Sequence, residues 1–122
     1  MTTTFKRAIR RRLASMEREL LRSIENQQLE YEQLTLGERT EETDEASIRN
    51  DERTLSTLLR HEETQLLRVR SALGRISEGH YGICAMCGSE IEKARLEARP
   101  EAVFCYSCAQ KRDRHARHAQ AN

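Results

Sequence analysis

The sequence predicts a mainly α-helical protein with three parts: a long antiparallel two-helix coiled-coil hairpin, a small module held together by four cysteines, and a short C-terminal helix. Two long stretches carry apolar residues at helical spacing. All four cysteines fall into one arrangement, a Cys-x2-Cys pair followed after 17 residues by a second pair. Four of the five glycines lie at or beyond position 74, so the residues that interrupt helices are concentrated near the cysteines.

The first predicted helix covers about residues 4–36. Its apolar residues follow one another at steps of three and four, with one step of seven across two glutamines. This spacing is typical of a helix with one buried face. The apolar residues are Ile9, Leu13, Met16, Leu20, Ile24, Tyr31 and Leu34.

The second predicted helix covers about residues 44–77 and has a more regular repeat. Alternating steps of four and three define a seam at positions 48, 52, 55, 59, 62, 66, 69, 73 and 76. Seven of these nine residues are apolar, and Glu52 and Glu62 are the exceptions. A sustained repeat of 3.5 residues indicates one narrow seam buried against a partner helix.

The first helix is the predicted partner of the second. Gly37 supplies a stop after the first helix, and only a short polar segment separates the two. We place the tip at 37–46, with Thr43 capping the second helix and carboxylates in its first turn. Each arm of about 30 residues would extend roughly 45 Å. The short connector favours a monomer, and pairing between two chains is the alternative.

The cysteine spacing predicts one structural zinc ion. Two Cys-x2-Cys knuckles with a connector of this length can converge on a tetrahedral ion, and four thiolates leave no open position for catalysis. The ligands are Cys84, Cys87, Cys105 and Cys108. Two disulfides are the alternative. The chain opens Met-Thr-Thr-Thr with no apolar export segment, so we expect a reducing cytoplasm in which thiols persist.

The predicted domain organisation follows from these elements. Residues 1–79 form the hairpin, 80–108 the four-cysteine zinc finger and 109–122 a basic C-terminal helix and tail. Glycines 82 and 88 flank the first knuckle, where the backbone must curl tightly. The candidates for a small core around the metal are Ile83, Ile91, Leu96, Val103 and Phe104.

Composition and charge restrict the function. With 37% hydrophobic and 34% charged residues, the chain is too polar for a thick globular core, and it has no transmembrane run. The sequence contains no catalytic pattern of a nucleophile, a base and an orienting group, so we do not expect an enzyme.

The charges are distributed unevenly along the chain. Residues 38–52 hold seven acids and two bases, whereas the first twelve residues hold five bases and no acid. The acids either serve a basic partner or only favour the start of a helix.

Three segments together resemble the DksA/TraR family of bacterial transcription regulators. Glu41-x2-Asp44-x-Ala46 resembles the Asp-x2-Asp-x-Ala signature at that family's coiled-coil tip. Residues 81–84 and 87–88 match its first knuckle, and residues 95–100, Arg-Leu-Glu-Ala-Arg-Pro, match the segment before the second. The resemblance covers the chain from the first helix to Cys108.

The resemblance implies a protein that binds RNA polymerase and inserts its acidic tip through the secondary channel toward the catalytic centre. It implies no catalysis and no sequence-specific DNA binding. Asp44 and Ala46 would act at the tip, with Glu41 in support, and promoter open complexes would shift in stability. Glu41 stands where the family has aspartate, which moves its carboxylate by about one bond length.

Family members that respond to the alarmone ppGpp bind it through basic groups near the zinc finger. Arg68 and Arg99 occupy matching positions, but Ala109 stands where a lysine is expected. A response to ppGpp would therefore require Lys111 or Arg112 to compensate. His61, on the second helix, is either a contact with the polymerase rim or a solvated surface imidazole.

Two other function classes stay open at the level of sequence. A zinc-ribbon nucleic-acid binder would use the basic segments, although the chain offers few aromatic side chains and the acidic tip would be repelled by DNA. A structural coiled-coil adaptor would depend on the seam and would tolerate any change at the tip.

Overall fold

The computed structural model describes residues 1–36 and 45–121, with side chains as far as residue 117. Four helices follow one another: α1 Thr3–Leu36, α2 Glu45–Glu78, α3 Lys93–Ala98 and α4 Tyr106–Ala121. In these ranges there is no strand, only an isolated antiparallel bridge between Ile83 and Glu90. The mainly α fold is confirmed, and both long helices begin and end within one residue of the predicted bounds.

One element was not predicted, and two predictions about helix ends are not tested by the structure. Helix α3 was not predicted, because six residues are too few to show a helical period. The predicted helix stop at Gly37 and the cap at Thr43 lie outside the described residues. Within the described ranges, no helix combines the length and apolarity needed to cross a membrane.

The chain divides into two compact units. Unit 1 comprises Met1–Ser15 and Arg68–Asn122, and unit 2 comprises Met16–Leu67. Each is described here by itself.

Unit 2 is a pair of helices formed by the later part of α1 and the earlier part of α2. Ile24, Ile48 and Leu66 are buried, and the other seam positions of this part of α2 are half-buried. Tyr31, predicted on the apolar face of the first helix, is 36% exposed. In the gap of seven residues between Ile24 and Tyr31, the half-buried side chain is that of Gln27.

A polar cluster interrupts the apolar seam of unit 2. Ser23 Oγ donates a hydrogen bond of 2.8 Å to Glu62 Oε1 on the other helix. Gln27 Nε2 lies 3.4 Å from Ser23 Oγ and donates to it. Gln27 Oε1 and Glu62 Oε2 are buried without a hydrogen-bond partner among the described residues. The hydrogen bond from Ser23 thus explains Glu62, one of the two acidic exceptions in the predicted seam. The other exception, Glu52, is half-buried as Glu62 is.

Unit 1 buries the start of α1, the end of α2 and the cysteine module in one core. Its largest fully buried side chains are Leu13, Val69, Leu96 and Pro100. Ile91 and Leu96 are buried as predicted, and Val103 and Phe104 are half-buried. The prediction was wrong for Ile83, which is 37% exposed. The backbone of Ile83 pairs with Glu90 in the isolated bridge, while its side chain lies at the surface.

Candidate metal centre and basic cavity

The four cysteines converge on one point of unit 1. Their sulfur atoms all lie within 4.8 Å of one another. Three of the four residues are buried, and Cys87 is exposed. Cys87 Sγ and Cys105 Sγ are 3.8 Å apart, far beyond the length of about 2.05 Å that a disulfide requires. All four cysteines are free thiols, which argues against the alternative of two disulfides.

The first knuckle is shaped by a tight backbone turn. Gly88 N donates to Cys84 O at 3.0 Å, and Cys84 N donates to Ser89 O at 2.7 Å. Gly88 has φ +75°, a left-handed conformation that side chains with a Cβ rarely adopt. The predicted need for glycine at this position is confirmed. The turn directs the thiols of Cys84 and Cys87 toward the second pair.

The second knuckle is formed where α4 begins. Cys105 immediately precedes α4, and Cys108 lies in its first turn. Ala109 N donates to Cys105 O at 2.9 Å, which closes the first helical turn. Ala85 N of the first knuckle donates to Val103 O at 2.8 Å, so the two knuckles are joined through the backbone.

The pKa values of the thiols differ between the two knuckles. Burial raises the pKa of the Cys84 thiol, but backbone amides, among them those of Cys87 and Cys105, outweigh it and lower that pKa to about 6. Hydrogen bonds from the side chain and backbone of Ser89 lower the pKa of the Cys87 thiol. The Cys105 side chain raises the pKa of the Cys108 thiol to about 12. The first knuckle is therefore arranged for thiolates, and metal binding is expected to release the Cys108 proton.

This donor set fits a structural zinc ion. A tetrahedron with zinc–sulfur bonds of about 2.3 Å places its sulfur atoms about 3.8 Å apart, as observed between Cys87 and Cys105. Four soft thiolates select zinc over the oxygen-binding cations. The site holds one zinc that joins the two knuckles and leaves no coordination position for a substrate.

Several polar side chains outside the cysteines hold the zinc finger in place, and sequence reasoning missed them. Tyr81 Oη donates to Pro100 O at 2.9 Å, and Arg95 Nε donates to Phe104 O at 2.9 Å. Each bond satisfies a backbone carbonyl of the connector between the knuckles. Tyr81 and Arg95 both lie in the segments matched to the family, but no local pattern indicates which carbonyl each one reaches.

Four arginines line one open cavity of unit 1, with a volume of about 760 Å³. Three of them, Arg68, Arg99 and Arg112, belong to the predicted contacts for ppGpp or the polymerase rim. The fourth is Arg95, which sequence reasoning did not single out. The cation of Arg112 lies 4.3 Å from the centre of the Phe104 ring, a stacking contact that orients its guanidinium. The structure therefore brings together basic groups from α2, α3 and α4.

The remaining predicted site residues lie elsewhere. Lys111 belongs to a different face of α4 and does not line this cavity. His61 is an exposed residue of unit 2. Ala46 is exposed in the first turn of α2, whereas Glu41 and Asp44 lie outside the described residues.

Comparison with known proteins gives one family match and several relatives. Residues 79–114 match the prokaryotic dksA/traR C4-type zinc finger. The RNA polymerase-binding transcription factor DksA of Caulobacter vibrioides is 36% identical over 75 residues, which is 61% of this chain and 52% of that protein. The chain spans only half to three fifths of the length of the curated relatives it matches first.

Solved structures share the fold over nearly the whole chain. Transcription factor DksA2 from Pseudomonas aeruginosa matches with a TM-score of 0.81 and 29% identity, covering 97% of this chain and 90% of that one. The DnaK suppressor protein from Agrobacterium tumefaciens matches with a TM-score of 0.59 and 30% identity, covering 86% and 91%.

Proposed function

The chain belongs to the DksA/TraR family of C4-type zinc-finger proteins, and on this premise we propose that it is a transcription regulator that binds RNA polymerase. The observation that carries the proposal is the combination of the four-cysteine centre with a fold that superimposes on DksA2 along nearly its full length. We propose a regulatory and not a catalytic role, in which the metal centre is structural because four thiolates leave it no open position for a substrate. Its proposed location is the cytoplasm.

We propose that residues 37–46 are the part that acts on the polymerase, reaching its catalytic centre through the secondary channel. Ala46 is exposed in the first turn of α2, which leaves room for close approach of a partner. Unit 2 holds 14 acidic and six basic side chains, so a basic channel would attract it. Asp44 is the proposed acidic group, with Glu41 in support. His61 is a proposed contact with the channel rim.

We further propose the basic cavity as the place where ppGpp binds together with the polymerase. The cavity is lined by the guanidinium groups of Arg68, Arg99 and Arg112. A guanidinium group can donate two parallel hydrogen bonds to one phosphate group. Ala109 lines the same cavity in the position where the family pattern calls for a lysine. Because Arg112 lines this cavity and Lys111 does not, Arg112 is the residue proposed to supply the missing charge.

The tip substitution Asp44→Asn tests the proposal. It removes one charge with little change in volume, so it should abolish the effect on transcription while leaving polymerase binding in place. The measurement is transcription in vitro from promoters with short-lived open complexes, together with binding to core polymerase in competition with another secondary-channel protein. Asp51→Asn is the matched control, because Asp51 is an exposed carboxylate of α2 outside the tip signature.

Two outcomes contradict this proposal. If Asp44→Asn regulates as the unaltered protein does, the tip assignment is wrong. If the protein does not bind core polymerase at all, the function itself is wrong, and a coiled-coil adaptor becomes the better hypothesis.

A further inference from the structure

The two units carry opposite charge, which the net charge of +1 for the whole chain conceals. Unit 1 holds 15 basic and six acidic side chains, a net charge of +9. Unit 2 holds six basic and 14 acidic side chains, a net charge of −8. Strong asymmetry of this kind indicates a polyanionic partner for the basic part of a chain.

Four of the twelve exposed basic side chains of unit 1 lie on α4. Every side chain from Gln110 to Arg117 is exposed. The helix has two distinct sides in this range. Arg112, Asp113 and Ala116 line the basic cavity. The other side, here called the free face, lines a separate depression and consists of Lys111, Arg114, His115 and Arg117.

The free face is available for a ligand. Arg114 and His115 follow Lys111 by three and four residues, and Arg117 follows Arg114 by three, so these side chains are neighbours along one side of the helix. None of the four forms a salt bridge with any acid in the part of the chain that the structure describes. Packing within unit 1 does not explain the face either, because all four side chains are exposed.

We propose that the free face of α4 binds the phosphodiester backbone of nucleic acid without sequence preference. From Lys111 to Arg117 the helix rises about 9 Å, a distance over which duplex DNA presents about five negative charges. Because these charges are divided between two strands, about three of them belong to one strand, which equals the number of permanent cations on the free face, Lys111, Arg114 and Arg117. Arginine and lysine are the side chains that bind phosphates in sequence-independent complexes.

The chemistry of the free face favours nucleic acid over the other polyanions. It contains no apolar side chain, so it lacks the apolar stripe with which an interfacial helix enters a lipid surface. It also lacks an aromatic or large apolar anchor of the kind that dominates protein–protein affinity. What remains is charge alone, which produces weak and salt-dependent binding to a polyanion.

The proposal goes beyond polymerase regulation and does not require it, so it is tested without polymerase. The full-length, zinc-loaded protein is titrated into a fluorescein-labelled DNA duplex of mixed sequence, and the anisotropy is followed in 50 mM and 200 mM KCl. Three phosphate contacts predict a slope of about −2.7 in log K against log salt, so the affinity should fall about 40-fold over this range.

A charge-reversed variant assigns the binding to the free face. The triple variant Lys111→Glu, Arg114→Glu, Arg117→Glu should lose measurable binding. The matched control, Arg49→Glu, Arg53→Glu, Arg60→Glu, makes the same change of charge on exposed arginines of unit 2. It should bind within about threefold of the unaltered protein. Circular dichroism and zinc content show whether each variant is folded.

Three results would overturn the proposal. The first is no change of anisotropy at 50 mM KCl, and the second is a triple variant that is folded and binds DNA as the unaltered protein does. The third is binding to phosphatidylserine vesicles without binding to DNA, which would identify a lipid surface as the partner. None of these results bears on whether the protein binds RNA polymerase.

Discussion

At the scale of single residues, the zinc finger depends on hydrogen bonds that satisfy buried carbonyls. Tyr81 is buried, and its hydroxyl donates to Pro100 O at 2.9 Å. Burial and the nearby Glu101 carboxylate raise the pKa of Tyr81 to about 12, against an opposing effect of Arg12. The neutral phenol is therefore the form that the folded state requires.

Tyr81→Phe should alter stability in a manner that depends on pH. At neutral pH it leaves Pro100 O buried and unpaired, which costs about 1–3 kcal/mol. A tyrosine whose pKa is raised on folding contributes stability below its unfolded pKa of 10.0, and this contribution is lost as pH rises toward 12. The difference in free energy of unfolding between the unaltered protein and the variant should thus narrow above pH 10.

Urea unfolding of the zinc-loaded protein at several pH values from 7 to 11 measures this difference. Tyr31→Phe, at an exposed position of unit 2, is the control and should have no effect at neutral pH. If the difference in free energy of unfolding between the two proteins stayed constant from pH 7 to pH 11, the pKa of Tyr81 would not be raised by folding, and the prediction would be wrong.

At the scale of elements, α2 shows how one seam organises a helix. All nine predicted seam positions are buried or half-buried. The polar cluster of Ser23, Gln27 and Glu62 replaces one apolar layer and leaves two buried acceptors unpaired. Such a layer costs stability, but it favours one register of the two helices, because a shifted register would separate Glu62 from Ser23.

Two adjacent leucines of α2 provide a direct test of the seam. Leu66 is 8% exposed and Leu67 is 68% exposed. Leu66→Ala should lower the free energy of unfolding by about 2–5 kcal/mol, because it leaves a cavity between the helices. Leu67→Ala should change it by less than about 0.5 kcal/mol. Thermal and urea unfolding followed by circular dichroism measure both, and equal effects would contradict the assigned seam.

At the scale of the whole molecule, the metal centre joins segments far apart in the chain. Cys84 and Cys108 belong to knuckles separated by the connector that includes α3. The core of unit 1 is small, and its largest fully buried side chains are two leucines, one valine and one proline. A small core of this kind depends on a metal for much of its stability.

Removal of zinc should therefore unfold the cysteine module. Metal binding and folding share one free energy when the site does not exist in the unfolded chain. A chelator should lower the helical signal of the protein and its thermal stability, and added zinc should restore both. Cys84→Ser should behave like the chelated protein and should not recover with zinc. Unchanged thermal unfolding in the presence of chelator would rule out the structural role of the metal.

Local sequence patterns were sufficient to predict the two long helices, the nine seam positions and the four metal ligands. Helical periodicity and the Cys-x2-Cys spacing are short-range properties, since each is set by residues within a few turns of one another. The short α3 and the exposed side chain of Ile83 have no such signal. Their positions depend on how the connector between the knuckles packs in unit 1.

The sequence by itself determined that this protein has two long amphipathic helices and a four-cysteine zinc finger. Helical periodicity and ligand spacing can both be recognised from the order of residues along the chain. Only the tertiary structure decided which basic side chains line the same cavity. It grouped Arg68, Arg95, Arg99 and Arg112 around one cavity and placed Lys111 on another face of α4. These arginines are far apart in sequence and become neighbours only when the core of unit 1 forms. No local sequence pattern predicts that they line the same cavity.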